Sequence, residues 1–190
     1  MMKMRWIGVV LVSLAAGCAP LMRSAPAPTE AMDAAVYATV LDLLPGSPIL
    51  LVDSLFVVSA GSYQYEKISQ HAGKALADDL LRRGSDPRTV PAPLPTRNAV
   101  RVVQRRELGR EFRRGNPEAL EAVWRSFNDR YPNSDGYFQV SAVGYDRDGT
   151  RAVLYLGHWC GMLCGEGRIV TLARVGTGWK VLESPIISES

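Results

Sequence analysis

Histidine is nearly missing from this chain: its 190 residues include only His71 and His158. A histidine-based catalytic triad therefore has few ways to assemble. No G-x-S-x-G, S-x-x-K, H-E-x-x-H or phosphate-binding glycine loop occurs, so the common serine-hydrolase, zinc-protease and nucleotide-site signatures are absent. No metal or cofactor is assigned on sequence grounds. Carboxylate-only catalysis leaves no signature of this kind. Long hydrophobic runs are lacking too. The apolar segment from Ile7 to Ala16 covers ten residues, about 15 Å as a helix, half of a hydrocarbon core of about 30 Å. It does not span a membrane. Charge of one sign is scarce as well: Lys3 and Arg5 precede that segment, and the other 20 Lys and Arg residues balance 19 Asp and Glu. Such a body has no global field for nucleic acid. We expect no nucleic-acid partner.

What is present begins with a leader. Lys3 and Arg5 supply a basic start, Ile7 to Ala16 an apolar core, and Leu14-Ala15-Ala16-Gly17 small residues directly before Cys18. That order is a lipoprotein leader, cut before Cys18, whose thiol receives the lipid. The competing reading is an ordinary secretory leader with Cys18 near the cut. Residues 1–17 are thus expected as leader and 18–28 as a lipidated, proline-rich tether. Residues 29–190 form a single domain. Ala19, in place of an Asp, leans toward the outer membrane, facing the periplasm.

Along the domain, Thr29 is a candidate N-cap for a helix with Met32, Ala35, Val36, Val40 and Leu43 on one stripe, ended by Pro45-Gly46-Ser47-Pro48. Ile49 to Ser59 reads as a buried strand. Gln64 to Arg83 keeps helical spacing through Tyr65, Ile68, Ala72, Leu76 and Leu80, up to Gly84. Pro87, Pro91, Pro93 and Pro95 form a crossover that admits neither helix nor central strand. Asn98 to Val103 reads as a strand and Arg105 to Arg114 as a short helix. Asn116 caps a helix with Leu120, Val123, Trp124, Phe127 and Tyr131 on one face. Four strands follow: Tyr137–Tyr145, Arg151–Trp159, Arg168–Val175 and Gly178–Ser184. Asp146-Arg147-Asp148-Gly149 and Gly176-Thr177-Gly178 turn between two of the pairs. The expected fold is α+β, an antiparallel C-terminal meander with helices packed on one face.

From Trp124 to Val181 the wording carries a likeness. Phe127…Tyr131-Pro132-Asn133-Ser134 is followed by Val143-Gly144-Tyr145 and Ala152-Val153-Leu154-Tyr155-Leu156. Cys160-Gly161-Met162-Leu163-Cys164-Gly165-Glu166-Gly167 and Gly178-Trp179-Lys180-Val181 complete it. This resembles a group of bacterial secreted and lipid-anchored proteins that end in a CGxLCGxG β-hairpin module. Asp146 departs from the Asn expected there, and either residue suits a turn. The resemblance implies an exported α+β domain and carries no activity with it.

Four groups of residues are candidates for function. Cys160 and Cys164 are an even pair, which in an oxidising compartment forms a disulfide. The alternatives are a redox pair, although the spacing is not C-x-x-C, a metal site with His158, and free thiols. His158, Trp159 and Glu166 flank that loop as candidate pocket residues, against the plainer reading of an exposed imidazole beside a packed indole. Arg106, Arg110 and Arg113 share a helix face and are candidates for gripping an anionic headgroup or envelope polymer. The plainer reading is a solvated face with Glu107–Arg110 and Glu111–Arg114 pairs. His71 reads as a core-edge residue, and Asp146–Gly149 as a turn rather than a calcium loop. The expected function is an exported, lipid-anchored binding or scaffolding module, its partner an envelope protein or an anionic envelope polymer. The alternative is an envelope enzyme, thiol redox or hydrolytic, using His158, Cys160, Cys164 and Glu166.

Overall fold

The computed structural model describes residues 27–46, 48–86, 88–109, 112 and 117–189. The leader, Cys18, most of the tether, Arg110, Arg113 and the cap Asn116 lie outside the described residues. Among the described residues five helices and eight strands follow in the order α1 (Glu30–Leu41), β1 (Ile49–Val52), α2 (Tyr63–Ala72), α3 (Lys74–Arg83), β2 (Val100–Val103), α4 (Arg105–Gly109), α5 (Pro117–Arg130), β3 (Tyr137–Val140), β4 (Gly144–Tyr145), β5 (Arg151–Gly161), β6 (Cys164–Val175), β7 (Gly178–Glu183) and β8 (Ile186–Glu189). The strands make one sheet in the order β2-β1-β3-β5-β6-β7, with β4 added to β5 and β8 to β6. β1 runs parallel to β2 and β3; every other pairing is antiparallel. The α+β class and the C-terminal meander stand.

Helix placement is finer than a single covered face. Side chains alternate across a strand, and the two sides of β5 carry different partners. Ala152, Leu154 and Leu156 pack with Val36, Tyr37, Val40 and Leu41 of α1. Val153 and Tyr155 pack with Ile68, Leu76, Ala77 and Leu80 of α2 and α3. Leu108 of α4 and Trp124 and Phe127 of α5 meet Leu50, Val52 and Trp159 on that second side. Among the described helices, four therefore share one face and α1 covers part of the other.

α1 starts as the sequence implies, with the Thr29 hydroxyl accepting from the Met32 N–H at 3.3 Å. It ends sooner than the apolar stripe. The Asp42 carboxylate accepts N–H bonds from Arg97 at 2.7 Å and Asn98 at 3.1 Å, and the Asn98 amide donates to the Leu41 carbonyl at 3.1 Å. Arg97 and Asn98, just beyond the proline crossover, thus cap the helix C-terminus. Leu43, expected on the stripe, lies beyond it and is 64% exposed.

Other expected elements are divided or shortened. The strand expected over 49–59 stops at Val52. Beyond it, the Asp53 carbonyl accepts from the Val90 N–H at 2.7 Å and the Asp53 carboxylate from the Arg105 N–H at 2.9 Å. The chain leaves the ladder to make these bonds. The helix expected over 64–83 is two helices, because Gly73 takes φ +95° and ψ 149°, a conformation reserved in practice for glycine. The strand expected over 137–145 breaks at Ser141, whose hydroxyl accepts the Tyr155 N–H at 2.9 Å. Strands β5 and β6 extend further than expected, carrying their hairpin to Gly161 and Cys164. The arginine-rich helix is described only as far as Gly109.

Candidate functional site

The far end of the β5–β6 hairpin places several chemistry-bearing side chains on the α1 side of the sheet. His158 of β5 stands opposite Glu166 of β6, and Glu166 stands opposite Glu189 of β8. Arg168 follows two residues on, so it shares their face. These residues, with Asp135 of the α5–β3 loop and the two cysteines, line a cleft of about 660 Å³. Phe138, Leu156 and Val170 line its apolar part, with Leu43 and Leu44 beyond the end of α1 and Leu163 at the hairpin tip.

Each polar group in the row has a defined partner or is open. The His158 ring lies flat on Phe138, centroids 4.2 Å apart and planes 6° from parallel. Its Nε2 contacts the Asp135 carbonyl oxygen. A carbonyl only accepts, so Nε2 carries the proton there. The Arg168 guanidinium grips Glu166 at two points, 2.7 and 3.0 Å. Those hydrogen bonds hold the Glu166 carboxyl below the usual carboxylate range, against the opposing effect of desolvation. The Glu189 and Asp135 carboxylates pair with no cation among the described residues.

Cys160 and Cys164 lie at disulfide distance, with Cα atoms 5.1 Å apart. The ladder slips between Trp159 and Gly161, so Cys160 falls outside its regular register. Cys164 is exposed and Cys160 half-buried.

Trp159 requires a correction. As the neighbour of His158 on a strand it projects to the opposite face, stacks on Tyr137 at 5.3 Å and packs into the α4–α5 core. Its ring covers Gly157, where an added Cβ would come within 2.4 Å of the indole. Trp159 is a packing residue and no part of the cleft. Its stacking partner Tyr137 is buried enough that its phenol is pushed up to about 12.

The arginine group is described only in part. Arg106 is exposed and donates to the Gln104 side chain at 2.5 Å. Glu107 accepts from Arg130 of α5 at 3.1 Å, and Arg101 and Arg130 lie over the Tyr131 ring at 5.0 and 5.4 Å. His71, expected at a core edge, is exposed in the last turn of α2. The Asp146 carboxylate accepts from the Thr150 and Arg151 N–H groups at 2.7 and 3.1 Å, which makes that segment the turn it resembled.

Arg168, Asp135 and Glu189 were not singled out by the sequence. The available signal was the period of two: Arg168 follows Glu166 at i+2 and shares its face once the strand is known to begin at Cys164. No group of three or more His, Cys, Asp or Glu residues is arranged to hold a metal among the described residues. No described helix is long and apolar enough to cross a membrane. Comparisons with protein-family models, curated proteins and solved structures return no match.

Proposed function

We propose that this chain is an exported envelope lipoprotein, anchored through lipid on Cys18, whose α+β domain is a non-enzymatic binding module. The observation that carries the binding role is the cleft at the hairpin end, about 660 Å³ in volume. That volume lies within the range of small-molecule sites, and an apolar lining with a few placed polar groups is their usual make-up. Arg168 is committed to Glu166 and His158 to the Asp135 carbonyl. Those contacts fix the orientation of both side chains in the cleft. The leader residues Lys3, Arg5 and Leu14–Cys18 support export and anchoring. Resemblance to secreted and lipid-anchored bacterial proteins with a CGxLCGxG module supports export, and Ala19 after the lipidated cysteine supports the outer membrane facing the periplasm. Arg106, with Arg110 and Arg113, is the proposed contact for an anionic envelope polymer or an envelope protein.

An envelope enzyme is the second reading, because His158, both cysteines and Glu166 line one cleft. Replacing Cys18 with Ser and following the protein through membrane fractionation and mass spectrometry tests the anchor. Release from the membrane, or an uncut precursor, is expected; an unmodified Cys18 in mature wild-type protein overturns the reading. Insulin-reduction activity that disappears in the Cys160→Ala, Cys164→Ala double variant would establish the enzyme instead.

A further inference from the structure

Two leucines on the cleft lining are open to water. Leu163 is 88% exposed at the hairpin tip and Leu43 is 64% exposed beyond the end of α1. Behind them Phe138, Leu156 and Val170 are buried. An apolar body lying between the leucines would take both out of water, and that transfer is favourable in proportion to the area removed. The lining therefore asks for a ligand with an apolar part.

Charge decides the rest. Asp135, Glu166 and Glu189 line the cleft with Arg168 as the one guanidinium among the described residues. Arg168 already makes two bonds to Glu166, so it has little left for an incoming anion. Glu189 is registered directly opposite Glu166, and like charges in that position repel. Asp135 adds a third carboxylate whose own cation is missing among the described residues. The lining thus holds three carboxylates against a single guanidinium among the described residues. A cation in the cleft would relieve that repulsion, and an anion would add to it.

We infer that the cleft takes a small cationic amphiphile, an ammonium or guanidinium group on an apolar chain or ring. The inference rests on the reading of the cleft as a binding site and adds the chemical class of the ligand. The volume suits a small molecule, and no described cation reaches the two open carboxylates.

Titration calorimetry on the full chain carrying Cys18→Ser, free of detergent, with octylamine, octanoate and octan-1-ol as probes, tests the inference. Octylamine is expected to bind about tenfold or more tighter than octanoate, with octanol between them. Raised salt should weaken octylamine and leave octanol unchanged. Glu189→Gln and Asp135→Asn should each weaken octylamine about threefold without affecting octanol. Leu163→Ser, at an exposed tip that the fold does not need, should weaken all three probes together. Octanoate binding as tightly as octylamine overturns the cationic class and leaves the binding site standing. No binding by any probe, or binding indifferent to Leu163→Ser, overturns the site itself.

Discussion

Arg83 Nη2 lies 2.7 Å from both carboxylate oxygens of Asp33, joining the end of α3 to the start of α1 although those helices cover opposite faces of the sheet. The link passes by β4, where Arg83 Nε also donates to the Val143 carbonyl at 2.8 Å and the Tyr145 hydroxyl donates to Asp33 at 2.9 Å. Both charged side chains are largely buried, 11% and 16% exposed. Burial and the neighbouring Asp33 carboxylate push the Tyr145 phenol well above its ordinary value.

Removing one partner of such a pair strands the other charge. Asp33→Ala is expected to cost about 3 kcal/mol in urea unfolding, and Arg83→Met a similar amount. The double variant should lose less than the sum of the two, because neither charge is then left unpaired. Strict additivity in the cycle would show that the pair is not a unit.

The Cys160–Cys164 bridge is expected to be structural. Closing so short a loop stabilises by only about 2 kcal/mol in the chain-entropy model. The Cys160→Ala, Cys164→Ala double variant should therefore fold, with a modestly lower Tm. Non-reducing peptide mapping of protein from the envelope should find one bridged peptide, and the bridge's reduction potential should lie below roughly −300 mV. A potential in the range of exchange enzymes, about −120 to −270 mV, would mark the hairpin as a reactive site.

Acid sensitivity follows from three carboxylates. At Asp42, N–H bonds from Asn98 and Arg97 outweigh the leading effect, desolvation, and hold the carboxyl low. Hydrogen bonds from Lys74 and Tyr65 do the same at Asp78, and Arg168 does so at Glu166. A depressed folded value adds stability that is complete above the ordinary carboxylate range of about pH 4. That stability is lost as pH falls through the folded values. Unfolding free energy should therefore fall below about pH 4, and Glu166→Gln should flatten part of that slope in urea titrations run across it. An unchanged slope would remove Glu166 from the account.

Gly73→Ala should destabilise by about 1–3 kcal/mol, since alanine cannot hold φ +95° with ψ 149° without strain. The cost should appear in chemical denaturation with the C-terminal meander unaltered by NMR. A stabilised variant would mean that α2 and α3 can merge into one helix.

The sequence marks the places where one local rule settles the outcome. Thr29 caps α1, and Trp124, Phe127 and Tyr131 pack from the α5 segment as their spacing implies. Gly73 escaped because Ile68, Ala72, Leu76 and Leu80 stay in phase across it, so the pattern holds while the backbone breaks. Ser141 reads as an ordinary strand residue, and only its bond to the Tyr155 N–H, fixed by distant packing, shows why the strand stops. In the cleft, the loop that contains Glu166 was legible and the ladder that aligns it with His158 and Glu189 was not. The opposite facing of His158 and Trp159 follows from alternation alone once the strand is carried through both. Leu43 and Asp135 come to the same cleft from separate loops, a proximity that no local spacing encodes.

β1 has a consequence for how the chain is made. Its four residues, Ile49–Val52, are all buried, and both of its strand partners, β2 and β3, lie far downstream. During synthesis this apolar segment emerges early and waits for its neighbours while most of the remaining chain is still being produced. β5, β6 and β7, by contrast, are joined by short turns and can pair as they appear. Such an unpaired strand is an adhesive part of a nascent chain. Ile49–Val52 is thus a stretch that a holding chaperone has reason to cover until Tyr137–Val140 arrives.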